Sequence, residues 1–404
     1  IGSGGALSMI LKGFSSSAVA LVAAALFLAA AMQATNLHKR LALFILSKVG
    51  VRTGALVFGA IIVSIILAFF VPSATARAGA VVPILLGMVA AFGLPHNSRL
   101  GALLVITAVQ SVSIWNVAIK TAAAQNLVAV GFIESEFGQT VSWGSWFLYA
   151  APWSIVMSFV LFFVMIRLIE PETKVVEGGE QLIQEQLKKL GKIKPEEKRL
   201  IAVALGLLFF WATEEIVHPL DTATVTIVAI AILLAPRIGV FDWKTVENMI
   251  PWGTIIVFAV GIALGTVLLE TDGAAWLSNK AFGVFGLETM PIIATIALLT
   301  AFNIIIHLGF ASATSLAATL IPIFIALTAS MSLPVNEVGF VLIQQFVISF
   351  GFLLPISAPQ NMLAYGTGAF TVRDFLKSGI PLTIVGYLLI LLLSATYWKW
   401  IGLL

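Results

Sequence analysis

The sequence predicts an all-α polytopic membrane protein made of two inverted-topology repeats, each with a re-entrant helical hairpin and a broken helix. Three observations carry this. Of 404 residues, 60% are hydrophobic and 10% charged, a balance outside that of soluble domains. Charge-free runs long enough to span a bilayer recur at Ser15–Thr35, Gly101–Ile119, Phe137–Ile166, Asn248–Leu269, Val338–Val372 and Ser378–Trp398. One set of polar landmarks occurs twice, in the same order. Helices are the default because backbone groups must satisfy one another in lipid, and the alternation of a membrane barrel is absent.

From the start of the chain, Ser15–Thr35 is the first span. Lys39, Arg40, Lys48 and Arg52 follow it, a basic stretch that reads as cytoplasmic. Residues 53–95 form the first hairpin. Its arms, Thr53–Val71 and Ala78–Gly93, are each short for a full span, and the triplet Ser73-Ala74-Thr75 forms its tip. A non-helical tip at membrane depth is tolerated only where it lines a cavity. Residues 100–130 are a helix interrupted at "TAAAQN", and 142–167 are a further span. Leu168 to Arg199 holds seven Lys/Arg and seven Glu. Its basic residues place this connector in the cytoplasm.

After the connector come spans at 200–217, 222–236 and 252–271. A second hairpin at about 289–332 has Ser312-Ala313-Thr314 at its tip, and a second helix is broken at "SAPQN". Aligning Ser73 with Ser312 also aligns Pro83-Ile84 with Pro322-Ile323. "QSVSIWNVAIKTAAAQN", from Gln110, and "QFVISFGFLLPISAPQN", from Gln345, carry Gln and Gln-Asn at identical spacing. The duplication divides the chain into a first repeat at 1–167, a connector at 168–199 and a second repeat at 200–404. The second repeat has apolar segments at 200–236 with no counterpart in the first, so one to three helices are expected upstream of residue 1. Five crossings separate the hairpins if 200–236 is two helices rather than one bent helix. The hairpins then open to opposite faces, the first to the cytoplasm, and the C-terminus lies outside.

Inverted repeats with broken helices are the usual architecture of secondary transporters, with substrate held near the midplane where the repeats meet. A helix restarting after each tip offers free N–H groups and the positive end of its dipole, and Ser and Thr hydroxyls add donors. Two facing tips suit a ligand with two negative ends, such as a dicarboxylate. Asn126 and Asn361 would add amides beside the tips. Ionisable residues at membrane depth are functional candidates, and Arg77, Lys120 and His307 stand out. Asn303 lies one helical turn before His307, and Asn116 has the same relation to Lys120. Snorkelling is the structural reading for Arg77 and Lys120, and a hydrogen-bonded core position is the reading for His307. Glu214, Glu215 and Asp221 read as interfacial or structural. The chain has no cysteine and no GxxxxGK, HExxH or GxSxG motif, so neither an ATP-driven pump nor an enzyme is expected. No metal, cofactor or nucleic-acid partner is expected either.

At these residues the chain resembles the divalent-anion:sodium symporter (DASS) family, which pairs a Ser-Asn-Thr signature at two hairpin tips with two helix breaks. Here the pairs are Ser73-Ala74-Thr75 with "TAAAQN" and Ser312-Ala313-Thr314 with "SAPQN". The resemblance implies a homodimer in the bilayer, with a fixed scaffold and a transport domain moving elevator-fashion. It implies that Ser73, Thr75, Ser312 and Thr314 hold substrate carboxylates beside Ala358-Pro359, and that Asn126 and Asn361 fall where the family's breaks help form cation sites. Ala74 and Ala313 depart from the signature, because alanine offers neither an amide nor an oxygen for sodium. Arg77, Lys120 and His307 would then supply fixed charge in place of bound sodium. "PSATARAGAVVPI" is similar to the exchanger branch, the citrate/succinate antiporters and plastid 2-oxoglutarate/malate translocators. The expectation is sodium-independent exchange of C4–C6 di- or tricarboxylates across the cytoplasmic membrane. A sodium-coupled symporter of the same family is the alternative, and an anion channel a more remote one.

Overall fold

The computed structural model describes residues 3–50, 52–91, 93–173, 179–287, 290–330 and 336–404. Phe92 of the first expected hairpin, residues 174–178 of the connector, and residues 289, 331 and 332 of the second hairpin lie outside the described residues.

The first repeat runs α1 (Ser3–Lys12), α2 (Ser17–Ala34), α3 (Leu37–Val49), α4 (Thr53–Phe70), α5 (Ala74–Ala91), α6 (Arg99–Ala118), α7 (Ala124–Phe137) and α8 (Trp143–Leu168). The connector holds α9 (Gly179–Leu190). Then come α10 (Pro195–Ala212), α11 (Thr222–Leu234), α12 (Trp243–Glu247), α13 (Trp252–Glu270), α14 (Gly273–Phe282) and α15 (Ile292–His307). The chain finishes with α16 (Ala313–Ser330), α17 (Glu337–Ile348), α18 (Pro359–Tyr365), α19 (Val372–Ala395) and α20 (Tyr397–Trp400). No strand occurs among the described residues, and seven described helices are long and apolar enough to cross a membrane.

The repeat extends beyond the landmarks read from sequence. α4–α5 and α15–α16 are the hairpins, and α6–α7 and α17–α18 are the broken helices. Proline is the tenth residue of both returning arms, Pro83 in Ala74–Ala91 and Pro322 in Ala313–Ser330. It is the tenth residue again in Pro152 of Trp143–Leu168 and Pro381 of Val372–Ala395. Each removes a backbone donor at one helix position, and the same position is affected in both repeats. Residues 200–236 form two helices packed on one another, α10 and α11. Two helices not expected from the sequence, α3 and α14, precede the hairpins in corresponding places. On α3 the buried Ala42, Leu43 and Leu46 share one face, the helical spacing of an amphipathic segment.

Helix α6 is the centre of the molecule: every residue from Leu100 to Ala118 is buried, against α4, α5, α8 and α18. Large apolar side chains instead face outward on α8 (Phe159, Phe163), α13 (Leu264) and α19 (Leu388, Leu392), the inversion that lipid permits.

The connector closes on the open end of the first hairpin. Thr53 at the base of α4 donates to Thr173 O at 2.8 Å. Glu172 accepts from the backbone N–H groups of Arg99 (2.6 Å) and Leu100 (2.9 Å) at the start of α6. Arg40 donates twice to Glu197, at 2.6 and 3.1 Å, and also to the carbonyls of Leu190 and Gly191, the forked geometry that suits a guanidinium. The C-terminus closes on the other end. Asn336 donates to Gly402 O at 3.1 Å. Tyr397 and Trp398 donate to Leu148 O and Tyr149 O near the start of α8. The connector leaves from the far end of that 26-residue helix, whose whole length is about 39 Å at 1.5 Å per residue. The two hairpins therefore open at opposite ends of the molecule.

Candidate functional site

Each hairpin tip is organised by its serine. Ser73 Oγ accepts from Ala76 N at 3.2 Å, and Ser312 Oγ accepts from Ser315 N at 3.2 Å. Both are N-caps, which satisfy one of the free donors of the restarting helix. A hydroxyl used in this way keeps its own proton to donate elsewhere. Ala74 and Ala313 are the first residues of α5 and α16, so neither alanine interrupts the cap.

The two tips meet at one cavity of about 830 Å³. Ser73, Ala74, Thr75, Ser312, Ala313 and Thr314 all line it, together with Ala358 and Pro359 from the second break. His307, the last residue of α15, also lines it. Its Nε2 is 3.2 Å from Ser357 O within that break. Among the described residues no Asp or Glu lines the cavity, whereas Lys39 and His38 stand on its wall from the start of α3. The polar part of the described lining is thus hydroxyls, amides and basic groups without a carboxylate, set among apolar side chains, a wall suited to an anion.

Four expected site residues are elsewhere. Asn126 and Asn361 do not line the cavity, because their amides close the helix breaks. Asn126 Nδ2 donates to Asn116 O (2.7 Å) and Ile119 O (3.0 Å), and Asn361 Nδ2 donates to Gly351 O (2.8 Å). A broken helix leaves carbonyls without partners, and at this depth another protein group must satisfy them. The preceding residues, Gln125 and Gln360, line the cavity instead. The repeated "QN" signalled both pairs, but its spacing alone did not separate the residue that faces inward from the one that ties the break.

Lys120 also faces away. Its Nζ donates to Val141 O (2.6 Å) and Thr222 Oγ1 (3.2 Å). Thr222 in turn donates through its hydroxyl and its N–H to Glu214, which also accepts from Trp143 N. Glu214 is thus a buried structural carboxylate joining the starts of α8 and α11. Asp221 is the N-cap of α11, and Glu215 accepts from Thr140. Arg77 is fully buried and sits one residue behind the wall, donating to Asn116 Oδ1 and, at 2.9 Å, to Ala122 O. Asn116 therefore pairs with Arg77, not with Lys120. Asn303 donates to Gln344 O and is likewise off the lining.

The broken helices cross and hold one another. Gln110 of α6 donates to Phe352 O in the second break (3.0 Å), and Gln345 of α17 donates to Asn126 Oδ1 beside the first (3.2 Å). Gln125 donates to Ser349, and Gln360 to Ser113. Each half thus contributes side chains to the break of the other.

The sequence matches the family described as "Sodium:sulfate symporter transmembrane region" over residues 3–404. A Cupriavidus necator protein named "Membrane protein" is 50% identical over 401 residues, covering 99% of this chain and 78% of its own. The sodium-dependent dicarboxylate transporter SdcS of Staphylococcus saprophyticus is 27% identical, covering 90% of this chain and 73% of its own. The L-tartrate/succinate antiporter of Escherichia coli K12 is 28% identical, covering 97% and 80%. Among solved structures, the Alcanivorax borkumensis YdaH transporter superposes with a TM-score of 0.60 at 17% identity, over 97% of this chain and 88% of its own. That likeness concerns the fold.

Proposed function

This chain belongs to the sodium:sulfate symporter transmembrane-region family, and from that premise we propose that it is an antiporter exchanging C4–C6 di- or tricarboxylates across the cytoplasmic membrane, without sodium. One observation carries the reading: two hairpin tips, matched residue for residue, face one cavity whose wall has no acidic group among the described residues. Ser73, Thr75, Ser312 and Thr314 hold the two carboxylate ends, with Ala358 and Pro359 beside them. Arg77, from behind the wall, supplies charge that sodium would otherwise bring, and His307, on the wall, contributes an imidazole; Lys120 is engaged with Thr222 and serves structure. An empty carrier of this kind holds uncompensated buried charge, which disfavours its return without substrate and makes exchange obligatory. The antiporter relative supports this reading.

The transport domain comprises the two hairpins and the two broken helices, moving elevator-fashion within a homodimer. The cross-bonds from Gln110 and Gln345 support this, since they make the broken helices one body. The basic stretch on α3 supports a cytoplasmic opening for the first hairpin. Symport is the second reading. The SdcS relative favours it, as does Asn361 Oδ1, a buried acceptor with no donor among the described residues. Proteoliposomes separate the two. Antiport gives labelled succinate uptake only into vesicles preloaded with dicarboxylate, whether or not sodium is present. Uptake into empty vesicles that requires sodium overturns it.

A further inference from the structure

Among the described residues, Asn116 is the one amide on the cavity wall held from behind by a charged side chain. It lies in the last turn of α6, lines the cavity and is 3% exposed. Arg77 reaches it from α5 and donates through Nη2 to Asn116 Oδ1. A guanidinium has donors only. The amide must therefore turn its oxygen to Arg77, since the flipped amide would oppose two donors. Nδ2 is left on the other side. It has no acceptor among the described residues, yet it is not one of the sealed, unpartnered atoms, unlike Nε and Nη1 of Arg77. Arg77 meets no carboxylate among the described residues, so its charge polarises the amide it holds.

The second repeat shows that the helix break does not require this side chain. Asn126 donates to Asn116 O, and Asn361 makes the equivalent bond to Gly351 O. Gly351 also lines the cavity. The same break forms around a residue with no side chain, so closing the break does not call for the amide of Asn116, whose one bond among the described residues is to Arg77. We propose that Asn116 Nδ2 donates to a carboxylate of the bound dicarboxylate, and that Arg77 is the positioning residue that aims it. This rests on the dicarboxylate reading of the cavity. The two ends of the site are then unequal, one read by an amide backed by a guanidinium, the other by His307.

The test is binding to the purified, detergent-solubilised protein, with succinate, malate and citrate as probes and thermal unfolding as the second readout. Asn116→Asp keeps the acceptor that Arg77 needs and exchanges the donor for a carboxylate oxygen. The expected result is unfolding at an equal or higher temperature without ligand and an apparent Kd raised about tenfold or more, the scale of a lost charge-assisted hydrogen bond. If Asn116 only satisfies Arg77, the aspartate serves as well. Unchanged affinity beside wild-type binding overturns this assignment alone. Wild type that binds none of the probes overturns the dicarboxylate reading and this assignment together. Asn116→Ala, which introduces no buried charge, reads the same donor by deletion should the aspartate variant not fold. A matching loss supports the proposal, and wild-type affinity overturns it.

Discussion

Ser73 and Ser312 do two things at once: each caps a helix through its oxygen and keeps a proton for the cavity. Replacing both by alanine should lower stability by about 1 kcal/mol per cap and raise the substrate concentration for half-maximal exchange. An unchanged concentration would show that the tips do not bind substrate. Ala74→Asn with Ala313→Asn should leave exchange indifferent to sodium, because Arg77 remains; sodium stimulation in that variant would assign ion independence to the alanines alone. Asn126→Ala should behave differently from the serine pair. It leaves the carbonyls of Asn116 and Ile119 without their donor, so unfolding should come at a lower temperature, by about 1–3 kcal/mol of unsatisfied buried polar groups. At this scale the sequence was legible where a residue type is needed for a local reason. A serine before a restarting helix is such a case. It was not legible where the partner is distant in the chain, as for Lys120 and Thr222.

Among the elements, the second broken helix depends on a neighbour that carries no side chain. A Cβ at Gly379 of α19 would lie 2.1 Å from Phe352 O, the carbonyl that accepts from Gln110. Gly379→Ala should therefore destabilise the protein by about 1–3 kcal/mol, the range for overpacking a close contact, and should reduce exchange by shifting the break. A melting temperature equal to wild type would show that α19 can move away without disturbing it. The hairpins were readable as elements because a polar triplet between two short apolar arms has few other uses. α3 and α14 were not, because each is too short to stand out as a span and carries lysine among its apolar residues.

For the whole molecule, the connector and the C-terminus stand at opposite ends of α8. The chain has no cysteine, so single cysteines introduced for labelling have no background. With the connector cytoplasmic, Glu185→Cys on α9 should react with an impermeant maleimide only after cells are opened. Lys399→Cys should react in intact cells. Both residues are exposed. The reverse pattern would invert the assigned orientation while leaving the repeat intact.

Composition and repetition alone determined that this is a helical membrane protein with two related halves and two interrupted hairpins. Hydrophobic span length and polar landmarks at fixed spacing are properties of the chain itself. Tertiary structure decided which polar residues face the cavity. Gln125 and Asn126 are adjacent in sequence, yet one lines the wall and the other ties the break. The same holds for Arg77, whose guanidinium stops one residue short of the cavity because Asn116 stands in its path. Facing inward or backward depends on the rotation of a broken helix about its axis. That rotation is set by contacts such as Gln110 with Phe352 O and Gln345 with Asn126, which join halves of the chain that no local pattern connects.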